Sequence, residues 1–187
     1  MLALLAGVAA YTVLFTMLLA CAEHLAEPSA LSRALAAHRV IPATRAVAAA
    51  VIASEGLLGV AGVVALLRDG GRPLTAALAG SGALLVLYVG YGLRLRFLGR
   101  SGPCGCSRLE LPMTGWVVAR AAILAGLALL ALAWADSIVP LTRPGAQLAI
   151  VLIAAATFTL LLWHLPAAMH EHHRRGGLPG WVSRPAR

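Results

Sequence analysis

Lysine is absent from this 187-residue chain, and acidic side chains number only seven. Charged residues make up 12%, about half the share of an ordinary soluble domain, and aromatics 5%. So few charges exclude a disordered chain and a charge-laced coiled coil. Three cysteines are too few to staple a secreted scaffold. The net charge of +8 comes from arginine alone. Those arginines lie between apolar blocks rather than along one face that could follow phosphates, which excludes a nucleic-acid-binding domain. What is present is hydrocarbon: 60% of residues are apolar and the mean hydropathy is +0.87. Such a chain belongs in a bilayer.

A helix needs about 20 mostly apolar residues to cross a hydrocarbon core of roughly 30 Å. Met1 to Ala22 carries no charged side chain, and Arg45 to Arg68 encloses a second block broken only by Glu55. Arg72 to Arg94 encloses a third. The fourth runs from about Met113 to Ala135 with Arg120 inside it, and the fifth from about Gly145 to Leu165. Backbone groups in lipid must pair internally, and the alternation of a membrane barrel is absent, so the spans are helices. The expected fold is an all-α integral membrane protein, a single bundle of about five transmembrane helices. Gly56, Gly59 and Gly62 on the second span, with Gly80 and Gly82 on the third, suit close helix packing. Leu18-Leu19-Ala20-Cys21 looks like a lipoprotein cleavage site. The segment nonetheless lacks a positive start and is longer than a signal core, so it reads as a span.

Arginine separates the two sides of the bundle. The loop after the first span, the loop after the third and the tail together carry 11 arginines, against 3 on the other side. Under the positive-inside rule this places the N-terminus outside the plasma (inner) membrane. The loop after the third span and the tail are then cytoplasmic.

That third loop holds the chemistry. Pro103-Cys104-Gly105-Cys106 sets two thiols one residue apart, at the end of a span. A disulfide across so short a ring is strained, and Gly105 lowers the cost because glycine accepts backbone angles other residues refuse. Strained disulfides are readily reduced and tend to be labile or catalytic. The expected role of Cys104 and Cys106 is therefore thiol–disulfide exchange: one thiolate attacks a partner disulfide, and the other resolves the mixed disulfide. Counting along the first span brings Cys21 to the same membrane face, as a resolving thiol or as a small packing residue. His24, one turn on, is placed to assist proton transfer there.

Glu55 and Arg120 are charges within spans, and intramembrane charges mark functional or paired positions. Both count to roughly 12–15 Å from the arginine-rich face, which allows an ion pair. Arg120 could instead favour a thiolate while Glu55 accepts protons. The cluster His170-Glu171-His172-His173-Arg174-Arg175 reads as a hydrated basic tail against lipid headgroups. A rival function is soft-metal binding or transport, with Cys21, Cys104 and Cys106 holding copper(I) or mercury(II). No quinone motif is recognisable, though a quinone-linked oxidase on the same bundle stays open.

Several of these segments together resemble one family. Glu23-His24-Leu25-Ala26-Glu27-Pro28, Ser54-Glu55-Gly56-Leu57, Pro103-Cys104-Gly105-Cys106 and Ala119-Arg120-Ala121 are similar to the MauE family, membrane proteins named for methylamine utilisation and distantly related to DoxX-type bundles. The resemblance spans about residues 1–135, a four-helix core. Residues 136–166 then add a fifth helix, and residues 167–187 the basic tail. Family members usually continue the motif with Phe-Gly, where this chain has Ser107-Arg108. The resemblance implies a role in making or transferring disulfides for an exported partner, often beside a thioredoxin-like protein. It makes Cys104 and Cys106 the redox pair, with Glu55 and Arg120 the matched charges. An exported partner would call for the motif on the outer face, against the arginine bias. Either the orientation is reversed, or the cysteines lie within the membrane and are reached from each side in turn.

Overall fold

The structure, a computed structural model, describes residues 1–100, 102–105 and 112–176, the last seven as backbone only. It is a helical bundle: α1 (Leu2–Ala26), α2 (Pro28–His38), α3 (Thr44–Leu66), α4 (Arg72–Phe97), α5 (Gly115–Ala133) and α6 (Ala146–Gly176). All but α2 are long and apolar enough to cross a membrane. The chain is thus an all-α protein with five membrane-spanning helices. Large apolar side chains point outward along them, among them Leu57, Leu87, Ile153 and Leu161. In water such a surface would be a liability; in lipid it is the solvent contact. Thr16 and Ser81 turn their hydroxyls back on their own helices, to the carbonyls of Thr12 (2.8 Å) and Ala77 (2.9 Å). No donor is left facing hydrocarbon at those positions.

The most buried span is α1, packed by α3, α5 and α6. The glycine stripe explains how α3 comes so close. A Cβ on Gly56 would stand 2.9 Å from the Cys21 Sγ, and one on Gly59 would stand 2.8 Å from Leu18 Cδ2. At Gly62 it would collide with Leu14. Residues 14, 18 and 21 of α1 therefore occupy the grooves that the three glycines open, as the small-residue pattern predicted.

The stretch after the first span, read from sequence as a plain arginine-bearing loop, contains α2. Glu27 breaks α1 with non-helical backbone (φ −141°, ψ 75°), and Pro28 starts the new helix in its first turn, where its missing N–H costs nothing. The other end of α2 is closed by Arg100, which follows α4. Its guanidinium donates to the carbonyls of His38 (2.6 Å) and Arg39. A cation there satisfies carbonyls left over by the helix and meets the negative end of its dipole. The last helix also exceeds its sequence boundary, passing through Pro166 and on to Gly176. The backbone of His170 to Arg175 is thus helical, while their side chains lie outside the described residues.

Candidate functional site

The α4–α5 connection is pinned at its neck. Met113 N–H donates to the Gly102 carbonyl (2.8 Å), and Pro103 bridges to Pro112. The described part of the loop beyond that neck, Cys104 and Gly105, lies against α2. Gly105 has φ +71°, and a Cβ there would stand 2.7 Å from the Ala34 Cβ. Handedness and space both require glycine at that position. Gly102 packs as closely on the His38 ring, where a Cβ would come within 2.9 Å of Nε2. The missed helix α2 is thus the floor against which Gly102 and Gly105 are seated, on either side of Cys104. Cys106 lies outside the described residues; Cys104 is buried, with 7% of its surface exposed.

Cys104 lines a cavity of about 710 Å³ at this end of the bundle, mostly walled by Leu, Val and Ala side chains. Its polar groups include His24 of α1, His38 of α2, Glu55 of α3, and Tyr88, Tyr91 and Arg94 of α4. Arg120 of α5 and Trp163 of α6 complete the wall. Glu55 is 2% exposed and is held from two sides. Tyr88 Oη donates to its Oε1 (2.7 Å), and His24 Nε2 stands 3.5 Å from Oε2. One turn along α4, Tyr91 Oη is 2.9 Å from His38 Nδ1. Burial lowers the pKa of the His38 imidazole, against a smaller opposing effect of the Pro103 backbone, so the ring is neutral near pH 7. The Pro103 carbonyl is near enough to act on that charge, but Nε2 has no hydrogen-bond partner.

The ion pair between Glu55 and Arg120 that sequence spacing allowed is not formed. Helix α5 begins at Gly115, so Arg120 lies five residues in, about 8 Å, whereas Glu55 lies eleven beyond Thr44, about 16 Å. Arg120 instead stacks over the Trp163 ring, 5.2 Å from its centroid. This cation–π contact serves a guanidinium that has little water to turn to.

Cys21 does not line the cavity; its thiol fills the α1–α3 contact at Gly56, and no disulfide joins it to Cys104. Of the expected site residues, the fold gathers Cys104, Glu55, His24 and Arg120 around one space, with Gly105 shaping the loop above. His38, Tyr88, Tyr91 and Trp163 were not foreseen. The tyrosines had a signal, a Tyr-x-x-Tyr step in an otherwise aliphatic span of an aromatic-poor chain. Among the described residues, no three His, Cys, Asp or Glu side chains are grouped to hold a metal ion.

The family model described as methylamine utilisation protein MauE matches residues 2–135. The chain belongs to the MauE family. No curated protein and no solved structure matches it. The MauE match takes in α1 to α5, and with them every cavity residue named above except Trp163, which α6 contributes from beyond it.

Proposed function

We propose that this MauE-family membrane protein is a thiol–disulfide oxidoreductase whose redox pair is Cys104 and Cys106. The observation that carries the reading is the position of Cys104. The thiol of the Cys-Gly-Cys motif is buried at the wall of an intramembrane cavity that also holds the Glu55–His24–Tyr88 cluster. A thiol must lose its proton to become a nucleophile. Glu55 is a proton acceptor in that space; Tyr88 fixes one of its oxygens by a hydrogen bond, and His24 stands 3.5 Å from the other.

The exchange follows from this chemistry. One thiolate of the pair attacks a sulfur of a partner disulfide; an S–S bond forms between the proteins, and the partner's other sulfur leaves as thiolate and takes up a proton. The second cysteine then loses its proton and attacks the first. The mixed disulfide breaks, the Cys104–Cys106 bond closes, and the partner departs as a dithiol. Run backwards, the same steps donate a disulfide to the partner. A thioredoxin-like protein is the partner class the family resemblance implies. The inner membrane, with the motif and tail on the cytoplasmic side, is the location the arginine bias favours.

The test is acid quenching of cells followed by alkylation and mass-shift analysis of wild type, Cys21→Ser, Cys104→Ser and Cys106→Ser. A reversible Cys104–Cys106 disulfide is expected, with mixed-disulfide adducts accumulating in one of the two motif mutants and an unaltered pattern in Cys21→Ser. Thiols that stay reduced in every background would overturn the reading.

A further inference from the structure

We infer that the cavity is a binding site for a membrane-soluble quinone, the two-electron acceptor that re-oxidises the cysteine pair. The inference rests on the thiol–disulfide reading for its purpose but on separate observations for its chemistry. A pair that gives its disulfide away is left as a dithiol, and a carrier in the bilayer must take two electrons and two protons from it. A quinone does so with two carbonyl oxygens on opposite sides of one flat ring.

The cavity matches that shape and that demand. Its volume, about 710 Å³, lies in the range of small-molecule sites, and its walls are largely aliphatic, as a ring with an isoprenoid tail requires. Two phenols line it from α4, Tyr88 and Tyr91, with their hydroxyls on Glu55 and His38. Residues three apart on a helix are neighbours, with about 5–6 Å between Cβ atoms. Each hydroxyl is backed by a group that can hand it a proton. When Glu55 is protonated it donates to Tyr88 Oη, and the Tyr88 O–H turns to the ligand. When His38 carries its proton on Nδ1 it donates to Tyr91 Oη, and the Tyr91 O–H is freed in the same way. The protein therefore offers two separate tyrosine relays, one for each carbonyl, at 2.7 and 2.9 Å. Cys104 also lines the cavity, and the Trp163 ring with Arg120 over it supplies an aromatic surface and a fixed positive charge. That charge favours the electron-rich reduced ring.

The step balances without a further reactant. Cys104 and Cys106 lose two electrons and two protons and gain an S–S bond. The quinone gains the two electrons and two protons, and its two C=O groups become C–OH. The hydroquinone then leaves for the bilayer.

Binding is measured on full-length protein in nanodiscs of quinone-free lipid, with Cys104→Ser as background so that no thiol chemistry intrudes. Decylubiquinone, and separately a short-tailed menaquinone, is titrated against tryptophan fluorescence. Saturable quenching is expected, weakened about threefold to tenfold by Tyr88→Phe and by Tyr91→Phe, the loss of one hydrogen bond each. Ala121→Trp, which fills the cavity, should abolish it. Melting curves of each variant check that the bundle is intact, and the tyrosine variants keep the test alive if Ala121→Trp unfolds. Quenching that rises linearly with quinone in the lipid, or that ignores both tyrosine variants, overturns the site. Recovery of phospholipid alone from the cavity does the same. In parallel, pre-reduced wild type is mixed with decylubiquinone, and one hydroquinone per chain is expected as the disulfide forms. Trapped mixed disulfides without saturable binding would sink the quinone site alone. Saturable binding with thiols that never oxidise would sink the exchange reading and leave the site standing.

Discussion

Tyr88 donates a 2.7 Å hydrogen bond to Glu55 across the α3–α4 contact, while His24 approaches the other carboxyl oxygen at 3.5 Å from α1. Three spans thus meet at one buried acid. A carboxyl group in a bilayer is costly unless it is held in this way. The first prediction concerns its proton. Glu55→Gln keeps the shape and the Tyr88 bond but cannot take up a proton. Disulfide exchange of the reduced protein with an oxidised test partner should slow by about a hundredfold, the usual scale of a general base, with melting temperature little changed. Unaltered exchange kinetics in correctly inserted Glu55→Gln would rule out a proton-accepting role.

Arg120 and Trp163 form the second test. Their stacking should contribute about 0.5–2 kcal/mol, so Trp163→Leu and Arg120→Leu should each lower thermal stability. The double variant should lose less than the sum, because the shared contact can be lost only once. Strict additivity in unfolding midpoints would show that the two side chains do not interact.

Gly105 is the third. Alanine there meets a positive φ and the Ala34 methyl, at a cost of about 1–2 kcal/mol for the handedness alone. The loop should lift from α2, and Cys104 should react faster with a membrane-impermeant maleimide. Adding Ala34→Gly relieves the clash but not the backbone angle, so the rescue should be partial. Equal maleimide rates in wild type and Gly105→Ala would contradict this account of the loop.

His38 links the loop to pH. Its folded pKa is lowered from the usual 6.5 by burial, so below that value the unfolded chain binds the proton more readily. The contribution of the neutral ring is full above about 6.5 and declines as pH falls through and below it. The groups nearest the ring are the Tyr91 hydroxyl, Gly102 and the Pro103 backbone. Wild type should melt earlier at pH 5 than at pH 7.5, and His38→Gln should flatten that dependence. A wild-type profile unchanged by His38→Gln would assign the effect to another group.

Orientation gives a last test. A fluorescent protein that folds only in the cytoplasm, fused after Arg187, should glow, and a phosphatase active only outside should stay silent at the same position. The reverse pattern would turn the bundle over and put the Cys-Gly-Cys loop on the exported side.

The membrane class, the five spans and the glycine stripe of α3 were all legible in the sequence, because each is a local property of composition and spacing. A run of uncharged apolar residues has few options in water, and glycine at every third position opens a groove whatever fills it. Cys104, Glu55, His24 and Arg120 were legible for a related reason: a thiol pair or a charge is conspicuous in a chain with so few polar groups. The partners of those residues were not. Equal counts along two spans put Glu55 beside Arg120, but α5 starts two residues later than expected and α3 one earlier, and these shifts with the packing of α6 decide which side chains meet. Helix α2 was hidden because an eleven-residue helix, too short to cross a bilayer and carrying Arg33, reads as a loop next to the long apolar spans. It is also the element that seats the cysteine loop. Side-chain chemistry was therefore given by the sequence, residue by residue. Only the tertiary structure gathered it around one cavity, since contacts between helices depend on register and rotation, which no single helix encodes.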